Sequence, residues 1–152
     1  MASEVFARGD FLANRGTPLI DSGNDLCPGN VGGQIVPFVF TKSVADTMTG
    51  TEMAAAGSTV TEVNPYKAGS IIGMSLAMKT ALITDTHASF TVYNGATSTG
   101  FVITLNASAD QYGTTSQVKD TDSFSANDKL TVQIHSDTMK TSTASVILFL
   151  EM

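Results

Sequence analysis

Two histidines, one cysteine and fourteen acidic residues are the groups of this chain that could take part in catalysis or bind a metal. Nucleophilic catalysis needs a serine or cysteine beside a base, and the histidines available for that role are His87 and His135. His87 lies in a turn-forming stretch, whereas His135 occupies a polar position at the end of a predicted strand. The Gly-x-Ser-x-Gly motif is absent, and Cys27 has no histidine or basic neighbour in the sequence to activate its thiol. The sequence therefore predicts that the protein is not an enzyme.

Two acidic loops carry oxygen ligands of the kind that calcium prefers. One begins with Asp120 and Asp122, and the other spans residues 21–25. The first loop departs from the EF-hand pattern, because no glycine stands at its sixth position and no glutamate closes it. A single cysteine and the lack of a histidine pair argue against zinc, and no Gly-rich phosphate loop precedes a helix. We predict neither a metal site nor a cofactor.

The charge of the chain excludes some classes of partner. The net charge is −6, the pI is about 4.6, and the eight basic residues are scattered singly. Binding to nucleic acid or to an anionic membrane needs clustered lysine and arginine. No apolar run approaches the roughly 20 residues of a membrane-spanning helix, and the first residues lack the apolar core of a secretory signal. The sequence predicts synthesis in a cytoplasm, with neither nucleic acid nor a membrane as partner.

Residues 1–33 are interrupted every few positions by glycine or proline. Three apolar pairs lie between these breaks, too short for strands yet too apolar for a solvated tail: Val5 and Phe6, Phe11 and Leu12, and Leu19 and Ile20. We predict that this segment is an extended N-terminal arm that docks through these pairs onto its own domain or onto a neighbour. An irregular layer on the same subunit is the alternative, and a β domain follows as residues 34–152.

Within residues 34–152, apolar and polar residues alternate with the period of two that is typical of half-buried strands. About eight strands are predicted, at 34–41, 59–63, 70–79, 88–94, 100–106, 113–119, 129–136 and 144–152. Turn-forming residues separate them at roughly ten-residue intervals, which favours antiparallel pairing. We therefore predict an all-β fold, an antiparallel two-sheet sandwich that is jelly-roll-like, with four strands in each sheet. Pro37 should confine the first strand to an edge or a bulge, and 46–57 is predicted as one helical turn or a long loop.

The last predicted strand, 144–152, is apolar on both of its faces between Val146 and Leu150. Such a strand is buried in the middle of a sheet or at a subunit interface. One face is covered by the core of its own domain. Ile147 and Phe149 lie on the other face, and we predict that they form an oligomer interface.

The segments of residues 69–152 have a recognisable combination of features: a strand of small residues, an Asn-Gly hairpin at Asn94, the run Lys-Asp-x-Asp-x-Phe-x-Ala-x-Asp from Lys119, and an apolar last strand. This combination resembles small β-sandwich proteins of tailed bacteriophage particles. These are capsid decoration, or cement, proteins and the domains of head and tail fibres. The resemblance covers over half of the chain and does not include its first 68 residues.

The resemblance implies a structural protein of a virus particle that binds the outer surface of the phage head and stabilises it. The major capsid protein would be its partner, and the apolar pairs of residues 1–33 would form the binding arm. A homo-oligomer is implied, with a trimer favoured over a dimer. The protein would be made in the host cytoplasm and reside in the virion, on the outside of the capsid.

Two other functions remain open at this point. One is a phage fibre or receptor-binding domain, whose loops would recognise a receptor. The other is a carbohydrate-binding module, which usually presents exposed aromatic side chains. Tryptophan is absent, and we predict that the three tyrosines, Tyr66, Tyr93 and Tyr112, pack at strand edges.

Overall fold

The computed structural model describes residues 34–44, 47–55, 58–82, 87–106, 110–137 and 141–152. The predicted arm with its three apolar pairs, Cys27 and the acidic loop at 21–25 lie outside these ranges. The described strands belong to a compact unit that spans Ile35–Met152. The described residues form no helix, and so none that is long and apolar enough to cross a lipid bilayer.

Eleven strands make up the described part of this unit, and all of their pairings are antiparallel. In chain order they are β1 (Ile35–Val44), β2 (Met48–Glu52), β3 (Ala54–Ala55), β4 (Glu62–Val63), β5 (Gly69–Met78), β6 (Ala88–Asn94), β7 (Thr97–Leu105), β8 (Tyr112–Ser116), β9 (Asp122–Phe124), β10 (Leu130–Ser136) and β11 (Ser142–Glu151). The six-stranded sheet has the order β3-β1-β11-β5-β8, with β9 also paired to β5. The five-stranded sheet has the order β2-β10-β6-β7, with β4 also paired to β10. The predicted all-β antiparallel two-sheet sandwich is confirmed.

The last strand, β11, lies inside the six-stranded sheet, between β1 and β5. Its pairing with β1 runs from Ile35 opposite Glu151 to Val44 opposite Ser142. Of the two places predicted for this doubly apolar strand, the middle of a sheet or a subunit interface, the structure shows the first. Pro37 is also placed as predicted, because β3 pairs only with Phe40 and Thr41 of β1. The described strands thus leave the Pro37 part of β1 with a neighbour on one side only.

The core lies between the two sheets and is built from alternate residues of the long strands. In the six-stranded sheet, Val146, Leu148 and Leu150 of β11 are fully buried. They belong to the same apolar cluster as Phe90 and Ile134 of the five-stranded sheet. Each large side chain of this kind contributes about 1.5–3 kcal/mol to folding when it is fully buried. The period of two read from the sequence thus identifies the core face of these strands.

The strand count and the sheet sizes differ from the prediction, which gave eight strands in two four-stranded sheets. The prediction for residues 46–57 was wrong, because this segment contributes β2 and β3 rather than a helical turn or a loop. Between these strands Met53 is buried, and its N–H donates to the carbonyl oxygen of Val132 at 2.9 Å. The pairing with β10 imposes an extended backbone on a sequence with little alternation of its own.

Candidate interaction surface

The six-stranded sheet carries an apolar surface on the side that faces away from the core. We name this surface the outer apolar face and define it by five residues of β1 and β11: Ile35, Pro37, Val39, Ile147 and Phe149. The antiparallel register places Val39 opposite Ile147 and Pro37 opposite Phe149. Ile35 is 57% exposed and Val39 is 38% exposed, while Ile147 and Phe149 are half-buried.

This face forms because β1 and β11 are apolar in both phases of their alternation. The residues between those of the face, such as Phe40 and Leu148, already fill the core. On the other side of β11, Phe149 is in register with Gly73 of β5. A Cβ atom at Gly73 would lie 3.5 Å from the Cδ2 atom of Phe149, so the ring rests against the β5 backbone. The absence of a side chain at Gly73 thus keeps the face flat around Phe149.

Beside the outer apolar face, the surface formed by β5 and β8 is rich in hydroxyl groups. Ser75 is in register with Thr114, and Gly73 with Ser116. At one end, the ammonium of Lys119 donates to the Oε1 atom of Glu151 at 2.8 Å. This hydrogen bond, together with the negative charge of Glu151, raises the pKa of Lys119. The pair neutralises itself, so a partner seated on the outer apolar face would not have to supply a charge at Glu151.

The corresponding outer surface of the five-stranded sheet is polar. Thr91 lies opposite Gln133 there, and Ser89 lies opposite His135. Val102 of β7 is 39% exposed on this side, next to Thr91 in the register. A single exposed valine is ordinary on a protein surface, whereas a contiguous apolar patch marks an interaction site. The two sheets therefore differ in what their outer sides can bind.

The structure places the two predicted interface residues, Ile147 and Phe149, together on this face. Their role in an oligomer stays a prediction. Sequence reasoning missed the contribution of β1, namely Ile35, Pro37 and Val39. The signal that could have found them is the run of 35–40, which is apolar in both phases as the last strand is.

The candidate catalytic histidines lie apart from this face. The Nδ1 atom of His87 is 2.7 Å from Oδ2 of Asp137, and both side chains are more than half exposed. The N–H of Asp137 also donates to the carbonyl oxygen of His87 at 3.1 Å, so the contact ties the start of β6 to the end of β10. Within the described ranges, no hydroxyl or thiol is bonded to the imidazole. The arrangement is that of an exposed surface contact, and such contacts contribute little to stability.

The carboxylates of the described acidic loop are engaged in hydrogen bonds within the fold. Asp120 accepts from the hydroxyl of the fully buried Ser70 at 2.9 Å and donates its own N–H to that hydroxyl at 3.0 Å. Asp122 accepts from the side-chain amide of Gln117 at 2.9 Å. In the part of the chain that the structure describes, no three His, Cys, Asp or Glu side chains are grouped so that they could bind a metal ion.

The tyrosines do not all pack at strand edges as predicted. Tyr66 and Tyr112 are each 73% exposed, because Tyr66 lies in the β4–β5 connection and Tyr112 begins a strand at the edge of its sheet. Tyr112 is in register with Ala77, near the end of β5 that is remote from Tyr66. The length of β5 between these ends is roughly 25 Å. The two exposed rings are therefore too far apart to stack on one sugar unit.

Comparisons with known proteins give similarity at the level of structure only. No family model matches the sequence, and no curated protein sequence matches it. A chain of the acidic stable capsid structure of Helicobacter pylori bacteriophage KHP30 has a TM-score of 0.48 at 12% identity, over 78% of this chain and 92% of that chain. A chain of the cyanophage Pam1 capsid asymmetric unit has a TM-score of 0.46 at 16% identity, over 89% of this chain and 99% of that chain. Both neighbours come from phage capsid structures, and at these values the similarity assigns neither a family nor a role.

Proposed function

We propose that this chain is a structural protein of a bacteriophage particle and acts as a capsid cement protein on the outer surface of the head. The observation that carries the proposal is the outer apolar face, a contiguous apolar sheet surface on which Ile35 and Val39 are exposed and Phe149 is half-buried. A contiguous exposed apolar surface of this kind is typical of proteins that assemble with others. The resemblance of residues 69–152 to decoration proteins suggests that this assembly is a phage capsid.

In this proposal two parts of the chain have different tasks. The outer apolar face, through Ile147 and Phe149, joins copies of the chain into a homo-oligomer. The arm of residues 1–33 attaches the oligomer to the major capsid protein through its apolar pairs. Several arms on one oligomer raise the effective concentration of each at the shell, so the oligomer detaches slowly.

The test is a sedimentation assay with purified phage heads that lack the protein. Val39→Asp places a charge on the outer apolar face, and Val102→Asp makes the same change at an equally exposed valine on the other sheet. We expect the wild type and Val102→Asp to sediment with the heads, whereas Val39→Asp loses the avidity of the oligomer and stays in the supernatant. A variant with both His87 and His135 replaced by alanine should bind as the wild type does, since no chemistry depends on them.

A chain that begins at Gly33 tests the arm separately. It should fold, because the compact unit of the strands begins at Ile35, but it should not sediment with heads. Binding of this shortened chain at wild-type strength would contradict the role of the arm. Equal binding by Val39→Asp and Val102→Asp would contradict the role of the face.

A further inference from the structure

The one Asn-Gly pair of the chain, Asn94-Gly95, lies at the tip of the β6–β7 hairpin. Asn94 pairs with Thr97, so that Gly95 and Ala96 form a two-residue loop. Gly95 has a φ of 58°, whereas Ala96 does not have a positive φ. This is the pattern of a type II′ turn, which requires glycine at its first loop position.

An Asn-Gly pair can undergo deamidation, because glycine has no side chain to hinder attack by its nitrogen. After a base removes the proton of the Gly95 nitrogen, this nitrogen attacks the side-chain carbonyl carbon of Asn94. A new C–N bond forms, the bond to Nδ2 breaks, and Nδ2 takes up a proton and leaves as ammonia. Water then opens the resulting succinimide at one of its two carbonyls, which gives aspartate or iso-aspartate.

Two hydrogen bonds in the folded protein oppose this reaction. The N–H of Gly95 donates to the carbonyl oxygen of Lys129 at 2.7 Å, so its proton is already engaged. The Nδ2 group of Asn94 donates to the Oδ2 atom of Asp128 at 2.7 Å. A hydrogen bond to a carboxylate is about twice as strong as one between neutral groups. Both the attacking atom and the leaving group are therefore bound to the turn that precedes β10.

Asp128 is itself fixed in place by the rest of this turn. The N–H of Ser125 donates to the same Oδ2 atom at 2.9 Å, and the N–H of Asn127 donates to the carbonyl oxygen of Pro65 at 2.7 Å. The hydrogen bond from Asn94, followed by that from Ser125, lowers the pKa of Asp128. The acceptor is thus a carboxylate at neutral pH, held by contacts from two other parts of the domain.

We propose that Asn94 is a deamidation site that is protected in the folded protein. The hydrogen bond from Asn94 to Asp128 supplies much of this protection. Conversion of Asn94 to aspartate or iso-aspartate would place a second carboxylate beside Asp128, and like charges at that distance repel. The hairpin tip would then separate from the 125–128 turn. This inference does not depend on the proposed function, since it follows from the chemistry of Asn94 and its contacts.

The test follows loss of the Asn94 amide by peptide mapping with mass spectrometry, during incubation of the full-length protein in mildly alkaline buffer. The same protein in urea gives the unprotected rate. We expect the folded wild type to react at least about tenfold more slowly than in urea, the factor that a hydrogen bond to a charged group can supply. Asp128→Ala should react faster than the wild type, and Asp128→Asn, whose side-chain oxygen can accept both bonds but carries no charge, should react at a rate between the two.

Asp128→Glu provides a second variant that keeps the charge and misplaces the carboxylate, and it should also react faster than the wild type. Circular dichroism establishes that each variant is folded. Equal rates for the wild type in buffer and in urea would overturn the protection. Wild-type rates in folded Asp128→Ala or Asp128→Glu would overturn the role of Asp128.

Discussion

At the scale of single residues, the run from Lys119 to Asp128 is a set of structural contacts. In the sequence this run is distinguished by its spacing and its acidity. In the structure, its members contact parts of the domain that are distant in the sequence: Lys119 contacts Glu151, Asp120 contacts Ser70, Asp122 pairs with Ile71, Phe124 enters the core and Asp128 contacts Asn94. The run therefore docks the β9 region onto both sheets.

Gly69 shows how closely this region is packed. A Cβ atom at Gly69 would lie 2.1 Å from the carbonyl oxygen of Glu151 and 2.9 Å from the Cζ atom of Phe124. Backbone atoms of a paired strand cannot move aside without breaking the ladder. The glycine is thus required by the approach of β11 and β9 to the first residue of β5.

Gly69→Ala should therefore lower the free energy of unfolding by about 1–3 kcal/mol, the usual cost of overpacking. Gly73→Ala is the matched control in the same strand, because its nearest contact would be an ordinary 3.5 Å and its φ is not positive. At such a site the reduced freedom of the unfolded chain should stabilise the protein by about 0.4–1 kcal/mol. Urea unfolding measures both changes. Loss of stability of equal size in both variants would contradict the steric argument.

At the scale of the element, β11 combines two functions in one strand. Leu148 is fully buried in the core, and the adjacent Ile147 is half-buried on the outer apolar face. The first residue serves the fold of a single chain, whereas the second is available to a partner. A substitution at Leu148 should therefore lower the stability of the single chain, whereas one at Ile147 should mainly weaken the binding of a partner.

Leu148→Ala should cost about 2–5 kcal/mol of unfolding free energy, the range for cavities left in a core. Ile147→Ala should cost no more than about 1 kcal/mol in the isolated chain, because only part of its apolar area is buried there. Thermal and urea unfolding at low protein concentration test the difference. A cost at Ile147 equal to that at Leu148 would show that the outer apolar face is part of the core of a single chain.

The sequence predicts the long elements and fails on the short ones for a physical reason. Strands such as β5, β6 and β10 carry enough alternating residues to define a buried face without outside help. In contrast, β3 has two residues and β9 has three, too few for a period to be recognised. Such strands exist because a neighbouring strand supplies their hydrogen bonds, and this pairing is a property of the tertiary fold.

The same reason explains which part of the candidate surface was predictable. The last strand is apolar at both of its alternating positions. The sequence alone therefore predicts that Ile147 and Phe149 lie outside the core. The run of 35–40 is also apolar in both phases, but that Pro37 and Val39 lie beside Ile147 and Phe149 follows only from the pairing of β1 with β11. Pairing between strands at opposite ends of the domain leaves no local signal in either one.

At the scale of the whole molecule, the difference between the two outer sides sets the expected assembly. A chain that buries the outer apolar face against copies of itself exposes the polar side of the five-stranded sheet to solvent. We expect the wild type to be an oligomer by light scattering, with a trimer favoured over a dimer. Ile147→Asp should be a smaller species, because a charge would be buried in the interface without a partner.

Val102→Asp is the control for this measurement and should keep the wild-type mass. Circular dichroism of Ile147→Asp must show a folded β protein, so that loss of the oligomer is not loss of the fold. A monomeric wild type would contradict the interface. An oligomer that survives in folded Ile147→Asp would place the contact elsewhere on the surface.

The position of β11 also has a consequence for the order in which the protein is made. This strand separates β1 from β5 in the six-stranded sheet, yet it follows every other described strand in the chain. During translation β1 must therefore wait for almost the whole domain to be synthesised before its main partner emerges. Contacts of such long sequence separation slow folding, and an unpaired apolar strand is prone to aggregate in the interval. We expect the rate at which β11 docks, rather than the final stability, to limit the yield of folded protein.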